Sequence, residues 1–321
     1  MKKLDPIPVT ILTGFLGAGK TTLLNRILLE QHGEKIAVIE NEFGEVGIDN
    51  ELLLQSDEQI IEMNNGCICC TVRGDLVRIL GNLAKKRRNG TLNFDRVIIE
   101  TTGLADPAPV AQTFFVDEKI RASYELDAII TVVDAVHGMR HLDAHHEAQE
   151  QAGFADRILL SKTDLVPESV TNELISYLRQ INPRAPIKPV HFGESEIADI
   201  LDIHGFSLKD ILSVEPDFLE DVTHVHDADI GSFVFRSEKP VNLDKLEAFL
   251  TVMGPDLLRY KGVLNVAGEN CRIVFQGVHM LMGGTEGRPW EPDGKRESVL
   301  IFIGRDISPK AFEECLNICF A

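Results

Sequence analysis

Three groups of side chains in this sequence have the types and the spacing to do chemistry. The first is Gly14-Phe15-Leu16-Gly17-Ala18-Gly19-Lys20-Thr21, which fits G-x-x-x-x-G-K-[ST] at every position. Glycines let the backbone wrap around phosphates with its N–H groups pointing inward, and a helix N-terminus adds partial positive charge. On this reading Lys20 bridges the β- and γ-phosphates, Thr21 ligates Mg2+ and Thr22 closes the loop. The bland alternative is a glycine-rich turn between a strand and a helix. The second group supports the phosphate reading. Arg96-Val-Ile-Ile-Glu100-Thr-Thr-Gly103 is an apolar strand ending in a carboxylate and then a glycine. Glu100 there can hold Mg2+ through water, and Gly103 can offer its N–H to a γ-phosphate. Ser161-Lys162-Thr163-Asp164 follows another apolar run, where GTPases commonly carry N-K-x-D. Asp164 accepts from the N1–H and 2-amino edge of guanine, which adenine does not offer, and the Lys162 stem covers the base face. Ser161 stands in place of the asparagine.

The third group is Gly66-Cys67-Ile68-Cys69-Cys70, with three thiols in four positions. Thiolates are soft ligands suited to Zn2+, Co2+, Ni2+ or Cu(I), and a tetrahedral site wants four donors. Carboxylates for the remainder are at hand in Glu40-Asn41-Glu42-Phe43-Gly44-Glu45. His137, His141, His145 and His146 are spaced for one helix face, and His224 and His226 form an H-x-H pair. The competing readings are inert buried thiols or a redox sensor for the cysteines, and exposed surface residues for the histidines. Cys315 and Cys319, four apart near the end, read as core packing.

These groups need a scaffold. Apolar runs at Val9–Leu12, Lys35–Ile39, Gln59–Ile61, Arg96–Ile99, Ala128–Val133 and Arg157–Leu160 alternate with helical stretches near Lys20–Gln31, Leu76–Arg88 and Pro167–Gln180. Continuous apolar strands separated by helices predict an α/β domain over residues 1–190, a parallel sheet with flanking helices. Residues 191–229 are acidic and irregular and read as a connector. From 230 to 321 the pattern changes to strands at Ile230–Arg236, Leu258–Val266, Arg272–Leu281 and Val299–Gly304, with helices at Leu243–Met253 and Pro309–Cys319. That order, β-α-β-β-β-α, predicts a smaller α+β domain of ferredoxin-like kind with a long loop at Gly283–Ser298.

The bulk properties narrow the partners. The 321 residues are 44% hydrophobic and 26% charged, ordinary for a soluble globular protein, with no apolar run long enough to span a membrane. A net charge of −18 argues against a nucleic-acid surface. The N-terminal apolar stretch is interrupted by glycines and runs into Lys20, unlike a secretory signal, so the expected location is the cytoplasm. There a cluster among six cysteines points to metal or redox chemistry over a disulfide framework.

Taken together, the phosphate loop, Glu40–Glu45, Gly66–Cys70, Glu100–Gly103 and Ser161–Asp164 resemble the CobW-like family of P-loop GTPases, relatives of UreG and HypB, in its YjiA-type branch. The resemblance continues through Arg259-Tyr260-Lys261-Gly262, Gln276-Gly277-Val278 and Trp290. It implies a metallochaperone with slow intrinsic GTP turnover, using Mg2+ with GTP and carrying Zn2+ or Co2+ to a metalloprotein client. It further implies that Cys67, Cys69 and Cys70 bind the transferred metal, with Glu40 and Glu45 nearby, and that Glu42 serves Mg2+ or the attacking water. A GTPase with a structural zinc and a nucleotide-gated redox adaptor are the alternatives, and a homo-oligomer is compatible with the sequence.

Overall fold

The computed structural model describes residues 6–30, 33–41, 59–63, 70–191, 200–203, 230–254, 256–290, 294–305 and 307–320. The chain divides into two compact units, Met1–Ile175 with Ala185–Gly205, and Ser176–Arg184 with Phe206–Ala321. Up to Val190 the elements are β1 (Ile7–Thr13), α1 (Lys20–Leu29), β2 (Ile36–Asn41), β3 (Gln59–Met63), α2 (Cys70–Arg88), β4 (Arg96–Glu100), α3 (Ala108–Val116), α4 (Glu118–Arg121), β5 (Tyr124–Asp134), α5 (Gly138–Ala144), α6 (His146–Phe154), β6 (Arg157–Ser161), α7 (Glu168–Ile181) and β7 (Ile187–Val190). The strands form one seven-stranded sheet in the order β3-β2-β4-β1-β5-β6-β7. Every pairing in it is parallel. In β4 every residue but the last is buried, as a sheet covered on both faces requires.

Helix α1 shows why the sequence folds this way locally. Lys20, Leu23, Leu24, Ile27 and Leu28 are its buried residues, which is the i, i+3, i+4, i+7, i+8 stripe of a helix lying on a core. The aliphatic members meet Leu12, Val38, Ile98, Ile130, Val132 and Leu159 from the strands. At the N-terminal edge of the sheet, the fully buried Arg96 bonds Glu34 and Asp127 at 3.0 Å each and also pairs with Asp202. Thr10 donates to the same Asp127 carboxylate.

Register decides what gathers at the opposite edge. Glu40 of β2 lies beside Glu62 of β3 on one side and Glu100 of β4 on the other. Asp134 of β5 lies beside Ser161 of β6. Polar residues therefore gather near the C-terminal ends of β3, β2 and β4 on one side of β1 and of β5 and β6 on the other, where open parallel sheets bind ligands.

The second unit contains β8 (Ile230–Ser237), α8 (Leu243–Met253), β9 (Leu257–Leu264), β10 (Cys271–Val278), β11 (Leu281–Pro289), β12 (Ser298–Arg305) and α9 (Pro309–Asn317). Its sheet is antiparallel, in the order β11-β10-β9-β12-β8. It has one strand more than the sequence pattern suggests. Gly283, Gly284 and Gly287 make the stretch from Gly283 onward read as loop, yet Leu281–Pro289 pairs with β10 from Val278↔Leu281 to Cys271↔Pro289. The ladder with a well-formed neighbour outweighs the weak strand propensity of glycine. Cys319 is buried, as core packing predicts, and burial pushes its thiol up, whereas Cys315 is exposed. Most of the connector, 192–199 and 204–229, lies outside the described residues. No helix among the described residues is long and apolar enough to cross a membrane.

Candidate functional site

The loop from Gly14 to Gly19 joins β1 to α1 and turns through left-handed φ values of 143° at Gly14, 72° at Gly17 and 101° at Gly19. Gly14 also passes so close to β5 that a Cβ there would lie 2.3 Å from the Val132 carbonyl oxygen. Lys20, buried at the first turn of α1, donates from Nζ to the Gly14 oxygen at 2.9 Å and to the Phe15 oxygen at 3.4 Å. Its ammonium therefore sits against the loop's own backbone, close to where a phosphate wrapped by that loop would lie. Ala18 is buried, Leu16 is exposed, and Thr22 faces solvent on α1.

Thr21 Oγ1 donates to Glu100 Oε1 at 3.0 Å, so the hydroxyl and the carboxylate proposed to serve one Mg2+ already touch across 79 residues of sequence. A hydroxyl and a strand-end carboxylate at that separation fit a hard, oxygen-preferring cation. Gly103 lies on the other side of the loop. A Cβ on it would lie 2.6 Å from the Leu16 nitrogen, so only glycine admits this approach. The Gly103 and Ala105 carbonyls accept from the buried Gln151 side-chain amide at 3.2 and 3.0 Å, and the Gln151 backbone carbonyl accepts from Thr131 Oγ1. Thr101 Oγ1 donates to Thr13 Oγ1 at 2.8 Å, tying β4 to β1 directly below.

The loop after β6 is fastened to the phosphate loop. Ser161 Oγ donates to the Ala18 oxygen at 2.6 Å, so the residue that departs from N-K-x-D still makes a tie with its hydroxyl. Lys162, at φ 58°, donates from Nζ to the Gly17 oxygen at 2.8 Å and pairs with the buried Asp134 at 2.6 Å. Asp164 is exposed, and His191 Nδ1 lies 3.8 Å from it at the end of β7. Phe15 is packed between His141 and His145, with ring centroids 4.5 and 4.7 Å away. Burial, with the charge of Arg140, holds His141 below the usual histidine range.

Asp134 and Gln151 are the residues that the motif reading misses; it offers His141 and His145 as extra metal ligands, whereas here their rings pack on Phe15. Asp134 had a signal, since it is the lone acid closing the long apolar run of β5; Gln151 had none, because its role depends on a helix packing under the Gly103 turn.

For the metal-ligating candidates, Glu40 is buried at the end of β2, in register with Glu100. Cys70 opens α2. Glu42, Glu45, Cys67 and Cys69 lie outside the described residues. Among the described residues no three or more His, Cys, Asp or Glu side chains converge on one metal position.

A glycine-rich loop feeding a lysine and threonine at the edge of a parallel sheet, with a strand-end carboxylate on the threonine, defines a P-loop nucleoside triphosphatase. Comparison with known proteins narrows the class. Residues 8–189 match the family described as CobW/HypB/UreG, nucleotide-binding domain, and residues 230–320 match the Cobalamin synthesis protein cobW C-terminal domain. The zinc chaperone YjiA of Escherichia coli is 44% identical over 99% of both chains. The zinc-regulated GTPase metalloprotein activator 1 of Dictyostelium discoideum is 31% identical over 98% of this chain and 80% of its own. The Zn(II)-bound crystal structure of the E. coli YjiA GTPase superposes with a TM-score of 0.79 at 38% identity, covering 99% of this chain and 100% of that one. The chain belongs to the CobW/HypB/UreG family and is a GTPase.

Proposed function

We propose that this GTPase is a metallochaperone that takes Zn2+ as cargo on Cys67, Cys69 and Cys70 with Glu40, and couples holding or releasing it to the GTP cycle. The observation that carries the reading is the register of Glu40 with Glu100. The carboxylate proposed for the cargo and the carboxylate that touches Thr21 occupy adjacent strands at the same level. The thiol segment is the connection between Met63, the end of β3, and Cys70, the start of α2. β3 is the strand on the other side of β2, with Glu62 in register with Glu40, so that connection leaves from an element beside Glu40.

A relative adds support from spacing. A Zn(II)-bound variant of E. coli YjiA, matching this chain at 37% identity, replaces one glutamate and two adjacent cysteines that lie 29 and 30 positions after it. From Glu40, Cys69 and Cys70 of this chain lie at the same two intervals, 69 − 40 = 29 and 70 − 40 = 30. That variant is itself Zn(II)-bound, so a zinc titration of this chain needs a thiol-specific control.

Within the reading, the residues divide the work. The loop N–H groups and Lys20 cradle the phosphates, and Asp164 reads guanine while Lys162 braces the base loop on Gly17. Thr21, with Glu100 behind it, would hold the Mg2+ that accompanies GTP, and that ion would supply charge neutralisation for the phosphates. Gly103, clamped by Gln151, offers its N–H where a γ-phosphate arrives and withdraws when it leaves. Glu40, one strand from Glu100, transmits that change to the cargo site through charge and strand position; Glu45 is a second carboxylate for the cargo, and Glu42 is the switch residue for Mg2+ or the attacking water. Linkage then requires that GTP shift zinc affinity by the same factor by which zinc shifts GTP affinity. The metalloprotein client receives the ion in the weaker-binding state, and neither nucleic acid nor a membrane enters the cycle.

The deciding experiment is zinc affinity by chelator competition without nucleotide, with Mg-GDP and with a Mg-bound non-hydrolysable GTP analogue. The expected result is a tenfold or larger difference between nucleotide states (about 1.4 kcal/mol) that disappears in Cys69→Ser. Equal thiol-dependent affinity in all three states overturns gating and leaves a structural zinc. Thiols that oxidise without ever retaining metal leave the redox adaptor.

A further inference from the structure

His137, His141 and His145 succeed one another at one-turn intervals through α5, of which His137 and His145 are the flanking residues. The backbone fixes the spacing: His141 N donates to the His137 oxygen at 3.0 Å, and His145 N to the His141 oxygen at 2.9 Å. Side chains four apart on a helix share a face, and His-x-x-x-His is the interval at which a helix presents two imidazoles to one transition metal. Successive ring centroids are 5.9 Å apart for His137 and His141 and 6.2 Å for His141 and His145. Two imidazoles on one tetrahedral metal, each bonded at about 2.0–2.1 Å, have centroids roughly 5 Å apart, so a small side-chain rotation closes such a pair.

What lies between the rings separates the two pairs. Phe15 is 4.5 Å from His141 and 4.7 Å from His145, so both rings already pack on it, and a metal drawing those two together would disturb both contacts. Aromatic packing on Phe15 accounts for His141 and His145; it does not need His137, which is exposed one turn earlier. His141 itself is half-buried.

We propose that His137 and His141 form an imidazole chelate for a divalent transition metal ion of the zinc, nickel and copper class, one ring away from the phosphate loop. Two protein donors leave the remaining positions to water, so the site binds more weakly than a thiolate cluster. It is independent of the thiol site, and the test removes that site.

The experiment is calorimetric titration of Zn2+ into the full chain carrying Cys67→Ser, Cys69→Ser and Cys70→Ser. Its net charge of −18 attracts divalent cations without specificity, so dependence on single residues is the readout. One saturable equivalent is expected, weakened tenfold or more by His137→Gln and by His141→Gln and changed less than twofold by His145→Gln. Because His137 is exposed, its variant keeps the fold, which circular dichroism and zinc-free GTP binding check. No saturable binding overturns the proposal, as does binding indifferent to His137→Gln.

Discussion

The C-terminal edge of the first unit's sheet and the core of the second unit bury different things. At the C-terminal edge of the parallel sheet the first unit encloses Thr13, Lys20, Glu40, Thr101 and Asp134. The second unit encloses rings: Phe233, Phe235, Tyr260, Phe275, Phe302, Phe312 and Phe320 all belong to its core. Phe302 alone lies 5.1, 5.2 and 6.0 Å from Phe233, Phe312 and Tyr260. Burying a polar group is unfavourable unless it is paired, whereas burying a ring is favourable by itself. A sheet edge that collects buried hydroxyls, carboxylates and an ammonium is therefore held for chemistry, and an aromatic core is held for shape.

That contrast can be broken by substitution. Lys20→Ala should lower GTP hydrolysis by about a thousandfold, roughly 4 kcal/mol of transition-state stabilisation, while the thermal midpoint barely moves. Phosphate release and calorimetry on the same sample check it, and near-normal turnover would sink the account of the polar edge. Phe302→Ala should do the reverse. Denaturant unfolding should show a loss of about 3 kcal/mol or more, with GTP affinity of the folded protein unchanged. Ser161→Ala removes the tie to the Ala18 oxygen, and about 1–2 kcal/mol should appear as weaker GTP binding by fluorescence titration. The smallest effect sharpens the second half of the contrast. Asn242 accepts from the Lys245 nitrogen at 3.0 Å and caps α8, so Asn242→Ala should cost about 1 kcal/mol of stability and leave hydrolysis alone.

Much of this was legible before any coordinates. The phosphate loop, the strand-helix alternation and the strand ends at Glu100 and Ser161 are encoded locally, by spacings of a few residues, and β1 to β6, α1 and α7 overlap the runs those spacings mark, whereas β7, α3 to α6 and the first turn of α2 are not marked by them. What escaped depends on distant partners. β11 is a strand because β10 lies beside it, against the preference of its glycines. Ser161 reads as a flaw in a motif until the Ala18 carbonyl, 143 residues away, is seen to accept from it. Pairing of Glu40 with Glu100 is invisible in the sequence, because register between non-consecutive strands is fixed by the sheet as a whole.

Arg96 carries a consequence in time. Its guanidinium is wholly shielded from solvent, and Asp127, its most enclosed partner, comes 31 residues later in the chain. A shielded cation without its counterion is unfavourable by several kcal/mol. β1 and β4 are neighbours in the finished sheet, but until β5 has been made Arg96 has only the partly exposed Glu34 as a counterion. At about 5–20 residues per second of translation that is a wait of roughly 2–6 s. The ion pair thus sets an order of assembly on the ribosome, with the centre of the sheet closing only once its third strand has emerged.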